Sequence, residues 1–198
     1  MRLRGNRQAG YSTIELLVVL AIAGVLAAMA LPSTARTLAD VRLHNDARAL
    51  HNLLSLAKMR ASSKFTRVRL NCDLANETFV LETFDKTAGI WVTEENPQTL
   101  NTGVDFGFDA MTKAPDDTQD VLGQAALCKA PNGDDINNTA CIVFNSRGIP
   151  VDSAGNPDGN GAIYITDHET GVYGVTVSAT PLVRLWWSPT STTAWAHK

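Results

Sequence analysis

The feature that most constrains this chain is an apolar run carrying a single charge near its start. Residues 14–31 read IELLVVLAIAGVLAAMAL, 18 positions in which Glu15 is the only ionisable side chain. That length is close to the roughly 20 residues a helix needs to cross a bilayer core. Arg2, Arg4 and Arg7 precede it with no acidic residue among them, so the positive-inside rule holds that end in the cytoplasm and sends the rest outward.

Glu15 is the anomaly. A carboxylate inside an apolar helix costs about 2.5–3.5 kcal/mol on insertion scales, and such a group persists where it finds a partner. Cleavage after Gly10 would create an α-amino group on Tyr11, four residues and one helical turn from Glu15. A neighbouring copy can supply the same amine, so one cut yields both a charge and a reason to assemble.

An arginine-rich leader, Gly10, the aromatic Tyr11, then Ser12, Thr13, Ile14 and Glu15 ahead of an apolar helix resemble the class III signal of type IV pilins and type II secretion pseudopilins. The resemblance implies that a prepilin peptidase cuts between Gly10 and Tyr11 and methylates the new N-terminus at Tyr11. It also implies that Glu15 pairs with the amine of the adjacent subunit. Gly24 and Pro32 fall where pilin helices commonly carry a glycine and a proline and are expected to break the helix; Tyr11 stands where phenylalanine or methionine is usual. The rival is an ordinary secretory signal, which has a shorter apolar region and a small-residue cut site, for which residues 27–30 (AAMA) would serve.

Charge is unevenly spread. Residues 36–69 hold eight basic and two acidic side chains, and residues 70–198 hold six basic and seventeen acidic ones. The three cysteines, Cys72, Cys128 and Cys141, fall in the part expected outside the cytoplasm, where oxidation is permitted. Cys128 and Cys141 are the disulfide candidate because they close a short loop, and the pairings with Cys72 stay open.

Beyond Pro32 a helical period resumes. Leu38, Val41, Leu50, Leu53, Leu54, Ala57 and Ala61 recur at three- and four-residue steps, the pattern of an amphipathic helix. A nearly continuous helix over residues 14–61 would reach about 72 Å. From Phe65 the pattern changes to short β-branched and aromatic runs, with strands expected at 66–71, 78–84, 89–93, 104–108, 140–144, 162–166, 173–178 and 182–187 and a hairpin connection at 85–89. Residues 109–131 and 150–161 are expected to be surface loops. The fold class is therefore α+β, a long N-terminal helix packed on an antiparallel β-sheet head. Its parts are a cleaved leader (1–10), a transmembrane or filament-core helix (11–32), an amphipathic half (33–63) and a β-rich head (64–198).

The head's sequence from Ile142 to Gly148, with residues 175–180 and 183–185, is similar to H-type minor pseudopilins and their minor pilin relatives. That resemblance implies a minor rather than a major subunit. The partners implied are other pilin or pseudopilin subunits, the prepilin peptidase and an inner-membrane assembly platform. The implied location is the bacterial inner membrane, single-pass with the head in the periplasm, and then the filament of a pilus or secretion pseudopilus.

The sequence carries no GxSxG, HExxH, Walker or Rossmann pattern, the motifs on which an enzyme reading would rest, and nothing in it calls for a cofactor. His44 and His51 are about 10 Å apart along a helix, too far to share a metal. Asp152, Asn156, Asp158 and Asn160 make an oxygen-rich loop, a weak calcium candidate set against an ordinary turn. Lys58, Arg60, Lys64, Arg67 and Arg69 are the densest basic cluster, and with Trp186, Trp187 and Trp195 they support an alternative reading as a minor pilin that receives DNA.

Overall fold

The computed structural model describes residues 11–190 and 192–198, and for residues 29–33 the backbone alone. The leader, with Arg2, Arg4, Arg7 and Gly10, lies outside the described residues. The chain divides into two compact units, Met1–Leu38 and Ala39–Lys198.

Helix α1 (Thr13–Ser63) contributes to both units. It starts where the Ser12 carbonyl accepts the backbone N–H groups of Glu15 and Leu16 at 3.0 and 3.2 Å. The helix runs through Gly24 and Pro32 without interruption, which corrects the expected break there. A proline withholds one backbone donor, and the helix continues past it to Ser63.

In the second unit the helix buries one row: Leu43, Ala47, Leu50, Leu54, Ala57 and Ala61. These steps of four and three hold one face inward. Leu38 and Val41, expected on that face, are exposed, because they fall outside the row that Leu43 begins. The helix ends as Phe65 takes a left-handed φ of 51°, with Lys64 N–H donating to the Arg60 carbonyl and Thr66 N–H to the Ala61 carbonyl.

Thirteen strands follow among the described residues: β1 (Val68–Asp73), β2 (Thr78–Asp85), β3 (Ile90–Thr93), β4 (Gln98–Thr99), β5 (Asp105–Phe106), β6 (Cys128–Lys129), β7 (Asp135–Ile136), β8 (Thr139–Phe144), β9 (Pro150–Val151), β10 (Gly161–Thr166), β11 (Gly171–Val177), β12 (Val183–Pro189) and β13 (Ala196–His197). They form a first sheet ordered β3-β2-β1-β8-β9 with β4 on β2, a second ordered β13-β12-β11-β10-β5, and the β6-β7 ribbon. Every pairing is antiparallel, so the unit is α+β as expected.

Alternation on β1 sends Val68, Leu70 and Cys72 inward, opposite Phe144, Ile142 and Ala140 of β8. These join the helix row and Ile163, Ile165, Tyr173, Val175 and Val177 of the second sheet in one core. Strands β10 and β11 are buried on both faces, because Met111 packs with Ala162, Tyr164 and Val172, flanked by Phe108, Leu122 and Trp195. Residues 109–131 are therefore not simply a surface loop: Met111, Ala114 and Ala125 are buried. The Gln124 side chain stands in for a strand here, accepting from Tyr164 N–H at 2.9 Å and donating to the Tyr164 carbonyl at 2.8 Å.

A disulfide joins Cys128 to Cys141, and Cys72 is a free thiol in the core, its ionisation pushed far up by burial. After β8, Gly148 takes a φ of 72° in a turn pressed against the helix, and a Cβ there would meet Ser62 Oγ at 2.8 Å and the Lys58 carbonyl at 3.2 Å.

Candidate functional site

The first unit is built around an uncovered helix. Tyr11, Ile14, Leu16, Leu17, Val18, Val19, Leu20, Ile22, Val25 and Leu26 are all exposed, and a Cβ on Gly24 would meet nothing within 4 Å. Glu15 lies exposed in the first turn, where a carboxylate is favoured by the helix dipole. One turn separates it from the backbone of Tyr11. Among the described residues no helix is long and apolar enough to cross a membrane; the span read from sequence runs on to Leu31, through residues whose side chains are not described.

The basic cluster in the second unit is engaged internally. Arg60 binds Glu94 and, at 2.8 Å, Glu95, while Lys64 reaches Glu94 at 2.6 Å. Lys58 Nζ donates to the Pro181 carbonyl at 2.9 Å. Arg69 holds Glu82 through Nε at 2.5 Å and donates from Nη1 to the Lys129 carbonyl at 2.7 Å. Arg67 lies 4.2 Å over the Phe84 ring and Arg69 4.2 Å over Trp91. This is a framework for the head rather than a track of free cations. The tryptophans are held likewise: Trp186 Nε1 donates to Thr176 Oγ1 and Trp195 Nε1 to the Lys113 carbonyl, while Trp187 packs on the core.

The loop of the calcium candidate spends its oxygens on itself. Asp152 Oδ1 accepts the backbone N–H groups of Ala154 and Asn156, its Oδ2 accepts Asn156 Nδ2, and Asp158 Oδ1 accepts Asn160 N–H. Those bonds hold the Asp152 carboxyl below its usual range, backbone donation by Asn156 first among them. Among the described residues no group of three or more His, Cys, Asp or Glu side chains is placed to hold a metal. His44 Nδ1 meets Tyr173 Oη at 3.0 Å, and His168 lies 3.3 Å from Asp105 and 3.7 Å from Asp109.

Sequence reading missed two polar anchors. Glu94 gathers Arg60, Lys64 and Thr83; burial would raise its pKa, but the bonds from Lys64 and Thr83 and the charge of Arg60 outweigh that and lower it. Asp46 is buried on the apolar helix row. A carboxylate three residues past Leu43, in step with that row, was the available signal.

Residues 5–31 match the prokaryotic N-terminal methylation motif. That match covers the Gly10–Tyr11 junction, Glu15 and the apolar run together. Among solved structures, the chain is similar to the minor pseudopilin EpsH from the Type 2 Secretion System of Vibrio cholerae, at 16% identity over 73% of this chain and 95% of that one, with a TM-score of 0.39. No curated protein matches it significantly.

Proposed function

We propose that this chain is a minor subunit of a type IV pilus or type II secretion pseudopilus. It enters the inner membrane by residues 14–31 with the head in the periplasm. Prepilin peptidase cuts it between Gly10 and Tyr11 and methylates Tyr11, and an assembly platform moves it from lipid into the fibre. Glu15 then meets the Tyr11 amine of a neighbour, and the side chains around it exchange lipid for sister helices. The single observation that carries this is the methylation motif over residues 5–31, to which the exposed apolar helix with its one carboxylate adds a physical reason to assemble. The preference for a minor subunit rests on the resemblance of residues 142–148, 175–180 and 183–185.

The decisive measurement is the mass of the N-terminal peptide of protein purified from its native cells. A peptide that begins at Tyr11 and carries one added methyl group is expected. A chain that still begins with its arginines, or that begins beyond Ala30, overturns the proposal.

A further inference from the structure

The edges of the two sheets are not alike. The first sheet ends on β3 and β9 and the second on β13 and β5. An open edge invites another chain to pair with it, and proteins blunt such edges by shortness, proline or charge. Strands β13, β5 and β9, and β4 further along β2, are two residues long. Strand β9 also opens with Pro150, and its Val151 is bridged by Pro157. Strand β3 has none of these devices. It runs for four residues, Ile90–Thr93, without a proline or a charge, and Ile90 and Val92 are 46% and 45% exposed.

The backbone of β3 has an outward side. Glu94 N–H donates to the Leu81 carbonyl at 3.1 Å, and on the far side of β2 the Phe84 N–H donates to the Arg67 carbonyl at 2.8 Å. Backbone groups alternate along a strand, so Ile90, Val92 and Glu94 face β2 while the N–H and C=O groups of Trp91 and Thr93 point away from the sheet. Those outward groups have no hydrogen-bond partner among the described residues. The edge is also preorganised, because Trp91 packs edge-on to Phe84 at 5.2 Å and lies 4.2 Å under the Arg69 guanidinium. A strand already fixed loses little freedom on pairing.

What fits this edge is the same edge turned about a two-fold axis. In an antiparallel pair centred on Val92, Trp91 of each copy stands opposite Thr93 of the other, so every outward N–H and C=O is used. Centring the pair on Trp91 instead sets Thr93 against Gly89, whose N–H is already donated to the Asp85 carbonyl. Centring it on Thr93 sets Trp91 against Glu95, beyond the strand. The side chains agree with the first register. Val92 meets Val92 at the axis, and Ile90 meets Glu94, whose carboxylate is held by Arg60 and Lys64, so no like charges are brought face to face. We propose that the head pairs with a second copy of this chain through β3, antiparallel and two-fold symmetric about Val92.

The test oxidises the full-length chain in detergent, with micelles in excess over chains, after Val92→Cys or Ile90→Cys. The two positions are equally exposed and lie on the same face of β3. Across the axis the two copies of residue 92 would have Cα atoms about 4.5 Å apart, within disulfide reach. The two copies of residue 90 would be four residues out of step, about 14 Å along the strands. The resident thiol, Cys72, is buried in the core and does not compete. Val92→Cys should give at least tenfold more reducible dimer than Ile90→Cys. Adding Thr93→Pro, which removes an outward donor, should return it to the Ile90→Cys level; a thermal melt of each variant confirms folding. The proposal is overturned by equal cross-linking at the two positions, by no dimer with Val92→Cys, by a dimer indifferent to Thr93→Pro, or by Val92→Cys linking in native cells to a different protein alone.

Discussion

Asp46 receives hydrogen bonds from Asn101 on both carboxylate oxygens, from the backbone N–H at 2.8 Å and from the side-chain amide at 2.7 Å. The pair ties the loop ahead of β5 to the buried row of the helix. Burial raises the Asp46 carboxyl above its ordinary range, and the two bonds from Asn101 only partly offset this. Removing the acceptor forfeits both part-buried hydrogen bonds, at about 1–3 kcal/mol together. Asp46→Ala should lower the head's unfolding free energy by that amount in urea titrations. An unchanged midpoint would mean the pair is ornamental.

Acid should loosen the head through Glu94 and Asp167. Burial alone would raise Asp167, but donation from Thr170 Oγ1 and from the N–H groups of Thr170, Gly171 and Glu169 outweighs it and lowers its pKa; Glu94 is lowered in the same sense. A depressed folded-state pKa gives stability that is complete above the ordinary carboxylate range near 4 and lost as pH falls through the folded values. Asp46 acts oppositely, favouring the fold more when protonated. Melts at pH 7 and pH 3 should show a lower midpoint in acid, and Glu94→Gln should shrink the difference. An acid sensitivity unchanged in that variant would remove Glu94 from the account.

Phe65 occupies a left-handed backbone conformation and leaves its ring 73% exposed. The conformation costs a bulky residue about 1–2 kcal/mol that glycine avoids, while little packing is lost with the ring. Phe65→Gly should raise stability by about 1 kcal/mol, visible as a higher melting temperature. A decrease would show that the ring holds something in solution.

Glu15→Ala should leave the head's melting temperature within error of the wild type and reduce incorporation into filaments by an order of magnitude or more. Quantifying the chain in sheared filament fractions against total cell protein checks this. Normal incorporation would sink the carboxylate–amine pairing and leave the fold untouched.

Much of the head could be read from alternation. The runs at 66–71, 78–84, 140–144, 162–166 and 173–178 each fall on an observed strand, because their inward positions belong to one core. The two-residue strands Gln98–Thr99, Cys128–Lys129, Asp135–Ile136, Pro150–Val151 and Ala196–His197 are not legible, since two residues are too few to show an alternation. The helix face departs from the expectation at its start, where Leu43 and Ala47 are buried and Leu38 and Val41 exposed; hydrophobicity alone does not rank these positions. The basic cluster was visible, but its acid partners at Glu82, Glu94 and Glu95 lie on strands or loops far along the chain.

The bare apolar stretch from Ile14 to Leu26 leaves the molecule nowhere to wait in water. Nine large aliphatic side chains there stand uncovered, and returning them to solvent from lipid or from sister helices would cost on the order of 20 kcal/mol. On the proposed function, passage from membrane to fibre is therefore a hand-over in which each side chain gains its new neighbour as it sheds the old one, with the growing end flush with the bilayer that feeds it.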